Sequence, residues 1–249
     1  MRRYGKWCER AEPTQAVNHY RHSARQEGAR FVSERGFSVE VYSDVICPWC
    51  YVGKRRFKRA IQQVGNTVKT HVAWRPFQLN PAMPKDGMDR TAYLAAKFGS
   101  LDRFKEMEQR LSDAGRAEQI PFAFEKIART PNTFLAHRLI WYSGIQGRQD
   151  AVVERLFKGY FEEGLDIGSL SILTELADRA GLRASEFLTS EEGAAEVKAE
   201  ESVGHKLGIR GVPYFIFGNR YGISGAQPVE VFVSAIEKAR TGPSTADGS

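Results

Sequence analysis

One stretch constrains this chain more than any other: Val45-Ile46-Cys47-Pro48-Trp49-Cys50-Tyr51-Val52. Before it, Phe37-Ser-Val-Glu-Val-Tyr-Ser43 alternates and is rich in β-branched and aromatic residues, the pattern of a strand. After it, Arg55, Phe57, Ala60, Ile61 and Val64 keep a helical spacing, and Gly65-Asn66 supplies a stop. A strand therefore delivers a Cys-x-x-Cys pair to the first turn of a helix, the geometry of a redox-active dithiol. Cysteines at this spacing can close a disulfide within the Cα separation such bonds require. Cys47 falls at the helix end, where unpaired N–H groups and the positive end of the dipole favour a thiolate. Pro48 suits the first helical position because its missing N–H would have been unpaired there. Cys47 is thus expected to attack and Cys50, one turn inward, to resolve. Half of a zinc site is the competing reading, but it needs two further soft ligands and Cys8 is the only other cysteine; no metal is expected.

The poise of the pair is less legible. Trp49 brings no charge to Cys47, and Lys54, Arg55 and Arg56 are expected to face solvent. Asp44, three residues before Cys47, would oppose a thiolate. Hydrogen bonding within the turn is its simpler role, and accepting a proton from Cys50 the sharper one.

At 249 residues and 42% hydrophobic composition the chain can bury a sizeable core, as one large domain or one domain carrying an insertion. Its net charge of +6 is uneven: residues 1–36 hold eight Lys/Arg and four Asp/Glu, so +4 sits there and only +2 on the rest. That balance, without interleaved basic and aromatic residues, argues against nucleic-acid binding. No window approaches the ~20 apolar residues of a membrane helix. Arg2-Arg3 is followed by Cys-Glu-Arg-Ala-Glu-Pro where a signal peptide would need an apolar run. Three cysteines are no disulfide framework, so a cytoplasmic location is expected.

Residues 1–36 show no sustained period and read as a mobile arm holding Cys8, an incidental thiol or a regulatory partner of Cys47. Thr67–Phe77 alternates and predicts a second strand, parallel to the first through the intervening helix. Pro81, Pro84 and Gly87 mark a boundary over 78–89. From 90 to 188 the signals are almost all helical, over 91–98, 101–114, 131–143, 150–162 and 169–180. A helix is predicted over 191–207, a strand over 211–217, a Gly218-Asn219 hairpin turn, a strand over 220–223, and a last helix opened by Gln227-Pro228. The tail 241–249 is expected to fray.

The order β-α-β, helical block, α-β-β-α is that of a thioredoxin fold with a large all-helical insertion. Specific blocks sharpen it: Tyr42-Ser43-Asp44 before Cys47-Pro48-Trp49-Cys50; Trp74-Arg75-Pro76-Phe77-Gln78-Leu79-Asn80-Pro81; Asn132-Thr133 with Ala136-His137-Arg138-Leu139; Gly211-Val212-Pro213; and Ser224-Gly225-Ala226-Gln227-Pro228. With these, the chain resembles the DsbA-like thioredoxin superfamily, and within it the FrnE-type branch related to 2-hydroxychromene-2-carboxylate isomerases and kappa-class glutathione transferases. The implied fold class is α/β, with a discontinuous thioredoxin domain (37–89 and 189–240), a helical insertion (90–188), an arm (1–36) and a tail (241–249). An X-Pro bond is cis only ~5–6% of the time; the resemblance implies that Val212-Pro213 is cis and opposite the dithiol, with Val212 free to pair with an extended substrate.

The resemblance further implies that Pro48, Trp49, Asn80, Asn132 and His137 line a substrate groove. Otherwise Asn80 is a turn residue, Asn132 a helix cap and His137 a satisfied buried histidine. It implies that Ser224, Gly225, Ala226 and Gln227 hold the γ-glutamyl end of glutathione, for which backbone N–H groups beside a helix start are suited. Trp74, Phe77, Trp141 and Phe215 read as core. A thiol–disulfide oxidoreductase acting on a protein or small-molecule disulfide is the leading expectation. It carries no permanently bound cofactor and uses glutathione or another thiol as redox partner. A glutathione-dependent isomerase or transferase is second, opposed by Cys47 where those branches present Ser. A chaperone-like binder is third. A homodimer is compatible with the resemblance, though no self-complementary patch is legible.

Overall fold

The computed structural model describes residues 37–65, 70–99 and 101–240; the arm, Cys8 and the tail lie outside them, as do the side chains of 101–104. Strand β1 (Phe37–Ser43) is central. Its register runs parallel with β2 (Thr70–Pro76), with Val41 opposite Trp74, and antiparallel with β5 (Tyr214–Phe217), with Val41 opposite Phe215. Strand β6 (Tyr221–Ser224) completes the order β2-β1-β5-β6. Gly218 (φ 55°) and Asn219 (φ 57°) both take positive φ in the three-residue connection between the paired Phe217 and Tyr221, where the Arg220 N–H donates to the Phe217 carbonyl at 3.0 Å.

Helix α1 (Pro48–Val64) joins β1 to β2, and α9 (Val229–Arg240) packs beside it. Together they cover one face of the sheet through Phe57, Phe215, Phe217 and Phe232, whose rings meet at stacked, tilted or edge-on angles 4.7–6.4 Å apart. Burying four such side chains contributes roughly 1.5–3 kcal/mol apiece. Helix α8 (Ala194–Lys206) covers the other face, where Gly204 sits so close to Tyr42 that a Cβ would lie 2.6 Å from its ring. Between β2 and β5 run α2 (Arg90–Phe98), α3 (Leu101–Ala117), α4 (Phe134–Ile145), α5 (Gln149–Phe161), α6 (Leu170–Arg179) and α7 (Ser185–Thr189).

The helical block meets the sheet at β2. Gln149 pairs with the Trp74 backbone like a strand, accepting from its N–H at 2.9 Å and donating to its carbonyl at 3.1 Å, so at this one position a side chain takes the place of a neighbouring strand. Tyr51 of α1 stacks on Phe157 of α5 at 5.0 Å.

Within the boundary segment before α2, β3 (Met88–Asp89) pairs with β4 (Arg129–Thr130). Two expectations need correction. The helix predicted over 131–143 begins at Phe134, with Pro131 ahead of it rather than in its first turn. Lys54, Arg55 and Arg56 do not face solvent. The Lys54 side chain is 4% exposed and pairs with Asp150 (2.8 Å) and Glu154 (3.1 Å). Arg55 pairs with Glu154, and Arg56 with Glu118 and the Ala226 carbonyl. Ion pairs with α5 and the end of α3 draw these side chains inward, and charge periodicity on α1 alone could not show those partners.

Candidate active site

Cys47 caps α1 in an extended conformation (φ −91°, ψ 112°) and Pro48 occupies its first helical position. The turn is closed by the Cys47 N–H on the Asp44 carbonyl and the Cys50 N–H on the Cys47 carbonyl, both 3.0 Å. Both cysteines are free thiols; Cys47 is 6% exposed and Cys50 fully buried. The Cys47 Sγ lies 3.6 Å from the Val212 carbonyl oxygen, and the Val212-Pro213 bond is cis. Burial pushes the Cys50 thiol well above its ordinary range, and the adjacent Cys47 sulfur adds to this. The Ser43 hydroxyl and Asp44 backbone act in the opposite sense. Burial thus favours the protonated form of Cys50. Trp49 is half-buried against the core.

Asp44, three residues before Cys47, is tied to other residues singled out above. Asp44 is fully buried; its Oδ2 accepts from the Leu79 N–H at 2.8 Å, which ties the β1–α1 turn to the segment holding Asn80. His137, on α4, is 2% exposed and its Nε2 stands 3.5 Å from Asp44 Oδ1, without a hydrogen-bond partner. At that length it is a charge contact only when the ring is protonated. Asn132 accepts from the Phe134 N–H at 2.9 Å and donates to the Met83 carbonyl at 2.7 Å. It thus helps start α4 and pins the 78–89 segment. Asn80 bonds the Tyr93 hydroxyl at 3.0 Å, and Lys97 donates to that hydroxyl at 2.6 Å. Behind them the Tyr160 phenol, near Arg90 and Thr130, is pushed up to about 12, chiefly by burial.

The Ser224–Gln227 loop is held at the same place. The Gly225 N–H donates to the Pro213 carbonyl at 2.8 Å, and Arg56 of α1 holds the Ala226 carbonyl at 2.7 Å. Gln227 donates to the Ser224 carbonyl at 2.8 Å. Gly225 takes φ +82°, so a side chain there would be strained. Trp74, Phe77 and Phe215 are buried in the core and Trp141 is half-buried against Phe187 and Gly193, as read.

Two residues escaped the sequence reading. Ser43 is legible only as part of a block, yet its side chain is buried at the end of β1. Gly53 lets α1 approach the cis-proline loop: a Cβ there would meet Pro213 Cγ at 3.1 Å and Ala226 at 3.6 Å. A glycine inside a helical pattern is the signal that could have marked it.

A strand-to-helix dithiol facing a cis-proline, on a four-stranded sheet with helices interposed after β2, defines a class of protein, and comparison with known proteins agrees. Residues 38–237 match the model of the DSBA-like thioredoxin domain, and the chain belongs to that family. It is 34% identical to a probable DsbA oxidoreductase of Streptomyces coelicolor, covering 85% of this chain and 93% of that one with a TM-score of 0.75. It is 29% identical over 202 residues to the uncharacterized protein YwbO of Bacillus subtilis (strain 168), spanning 80% of this chain and 94% of YwbO. The cytosolic disulfide reductase DsbM of Pseudomonas aeruginosa, solved with GSH, shares the fold at 16% identity, with a TM-score of 0.56 over 82% of this chain and 96% of that one. Among the described residues, no helix is long and apolar enough to cross a membrane.

Proposed function

We propose that this chain is a FrnE-type thiol–disulfide oxidoreductase in which Cys47 attacks and Cys50 resolves. The carrying observation is the contrast between the two sulfurs. Cys47 stands at the helix end against the Val212 carbonyl, while Cys50 is fully buried with its thiol held protonated. In the reductive direction the Cys47 thiolate attacks a substrate disulfide, forming a Cys47–substrate mixed disulfide and expelling one substrate thiolate. Cys50 then gives up its proton and attacks the Cys47 sulfur, which closes the Cys47–Cys50 disulfide and releases the second substrate sulfur. That sulfur takes up a proton, so the substrate gains two electrons and the enzyme loses two. The Val212 backbone, beside Pro213, would pair with an extended substrate while the exchange proceeds.

Glutathione is the thiol we favour as redox partner, in a cytoplasmic setting. Support comes from the Ser224–Gln227 loop, which is bonded to the Pro213 carbonyl and to Arg56 and so lies alongside the dithiol, and from the GSH present with DsbM. Replacing each cysteine by serine tests the mechanism. Cys47→Ser is expected to lose insulin-disulfide and small-disulfide reduction, and Cys50→Ser to accumulate a mixed disulfide visible by intact mass. Full activity in Cys47→Ser would sink the proposal.

A further inference from the structure

Helix α1 approaches the cis-proline segment at Gly53, where a Cβ would lie 3.1 Å from Pro213 Cγ and 3.6 Å from Ala226 Cβ. Glycine permits the approach but has no side chain with which to hold the Ser224–Gln227 loop. Arg56, three residues on and so on the same helix face, supplies one: its Nη1 donates to the Ala226 carbonyl at 2.7 Å. That bond is charge-assisted, whereas the loop's tie to the cis-proline segment is the neutral bond from the Gly225 N–H to the Pro213 carbonyl at 2.8 Å.

The Arg56 guanidinium is aimed in turn by the helical block. Its Nε donates to Glu118 Oε1 at 3.0 Å, and Oε2 of the same carboxylate accepts from Arg59 Nη1 at 3.0 Å. The Glu118 side chain is 5% exposed and that of Arg56 20%, against 53% for Arg59, so the Arg56–Glu118 contact is the better shielded of the two. Glu118 is itself fixed where α3 ends, because its N–H and that of Ile120 both donate to the Gly115 carbonyl, at 3.0 and 2.8 Å. A guanidinium is a planar fork whose donors have set directions. Seating Nε on Glu118 sets the plane, and Nη1 then points at Ala226. A lysine ammonium, a point charge on a flexible stem, would set no such direction.

We infer that Arg56, aimed by Glu118, is a positioning residue for glutathione disulfide: it fixes the Ala226 peptide of the loop that receives the γ-glutamyl end, and so sets the preference for that substrate over disulfides without one. The inference rests on the glutathione reading above and adds the side chains that hold the loop ready. The exchange itself is as already written: glutathione disulfide becomes two glutathione thiols while Cys47 and Cys50 close their disulfide. Arg56 makes and breaks no covalent bond in it.

The test follows loss of free thiol when the reduced protein is mixed with glutathione disulfide or with bis(2-hydroxyethyl) disulfide, which lacks a γ-glutamyl end. Wild type is expected to react faster with glutathione disulfide. Arg56→Met keeps the aliphatic stem and removes the fork. Its preference for glutathione disulfide is expected to fall about tenfold, the scale of one hydrogen bond to a charged group. The fall should come from a higher half-saturation concentration, with the limiting rate kept. Arg56→Lys is expected to fall in the same direction by less, and it carries the test if Arg56→Met folds poorly, because it keeps a cation beside Glu118. An undiminished preference in Arg56→Lys, an equal slowing with both disulfides, or a fall carried by the limiting rate overturns the role of Arg56. A wild type without preference overturns the glutathione reading and this inference with it. Cys47→Ser reacting as fast as wild type overturns the exchange mechanism itself.

Discussion

Replacing Glu154 by glutamine should loosen the redox helix from the helical block in a way that depends on pH. Glu154, on α5, meets Lys54 Nζ at 3.1 Å and Arg55 Nη2 at 2.6 Å, both on α1. Burial by itself would raise the Glu154 carboxyl, but Lys54 and then Arg55 outweigh it and hold the group below the usual range. The Lys54 side chain is 4% exposed, and its other carboxylate, Asp150, is 67% exposed. Glutamine keeps the shape and removes the charge. Removing one partner of a fully buried pair costs about 3–5 kcal/mol. Here Glu154 is 21% exposed and Asp150 still reaches Lys54 at 2.8 Å, so solvent and the second carboxylate recover part. About 2 kcal/mol should be lost, or roughly 4–8 °C in Tm for a domain of this size. Urea titrations followed by tryptophan fluorescence suit the purpose, because Trp74 lies beneath Lys54 and against Phe157. The sign follows from the depressed pKa. The contribution is present above the unfolded value near ~4.3 and is lost as pH falls through the lower folded value. The gap between wild type and Glu154→Gln should therefore be constant from neutral pH down to about 5 and narrow below about 4. An unchanged gap at the acid end, or no gap at neutral pH, would refute the reasoning.

Gly204→Ala should destabilise despite favouring the helix. Alanine gains about 1 kcal/mol of propensity, but its Cβ would lie 2.6 Å from the buried Tyr42 ring, and such overpacking costs about 1–3 kcal/mol; a higher urea midpoint than wild type would contradict this. Asp44→Ala should cost about 1–3 kcal/mol by leaving the Leu79 N–H without its acceptor. Asp44→Asn, which can still accept, should cost less, and equal midpoints for the two variants would rule out that hydrogen bond as the cause.

Short-range spacing carried much of this protein. Cys47, Pro48 and Cys50 sit at a strand-to-helix junction because alternation gives way to helical period within a few residues, and Gly218-Asn219 could only be a tight turn. These features depend on neighbours in the chain, where spacing and backbone preference are physically decisive. The family blocks extended that reach to Pro213 and the Ser224–Gln227 loop, which the fold brings to the dithiol through the Cys47–Val212 and Gly225–Pro213 contacts. Tertiary structure alone decided what each side chain faces. His137 meets Asp44 and Lys54 turns inward to α5 because partners distant in sequence arrive there, and no period within α1 or α4 encodes them. Ser43 is a further case: from the sequence it is one polar residue at a strand end, and only the packing of the fold buries it.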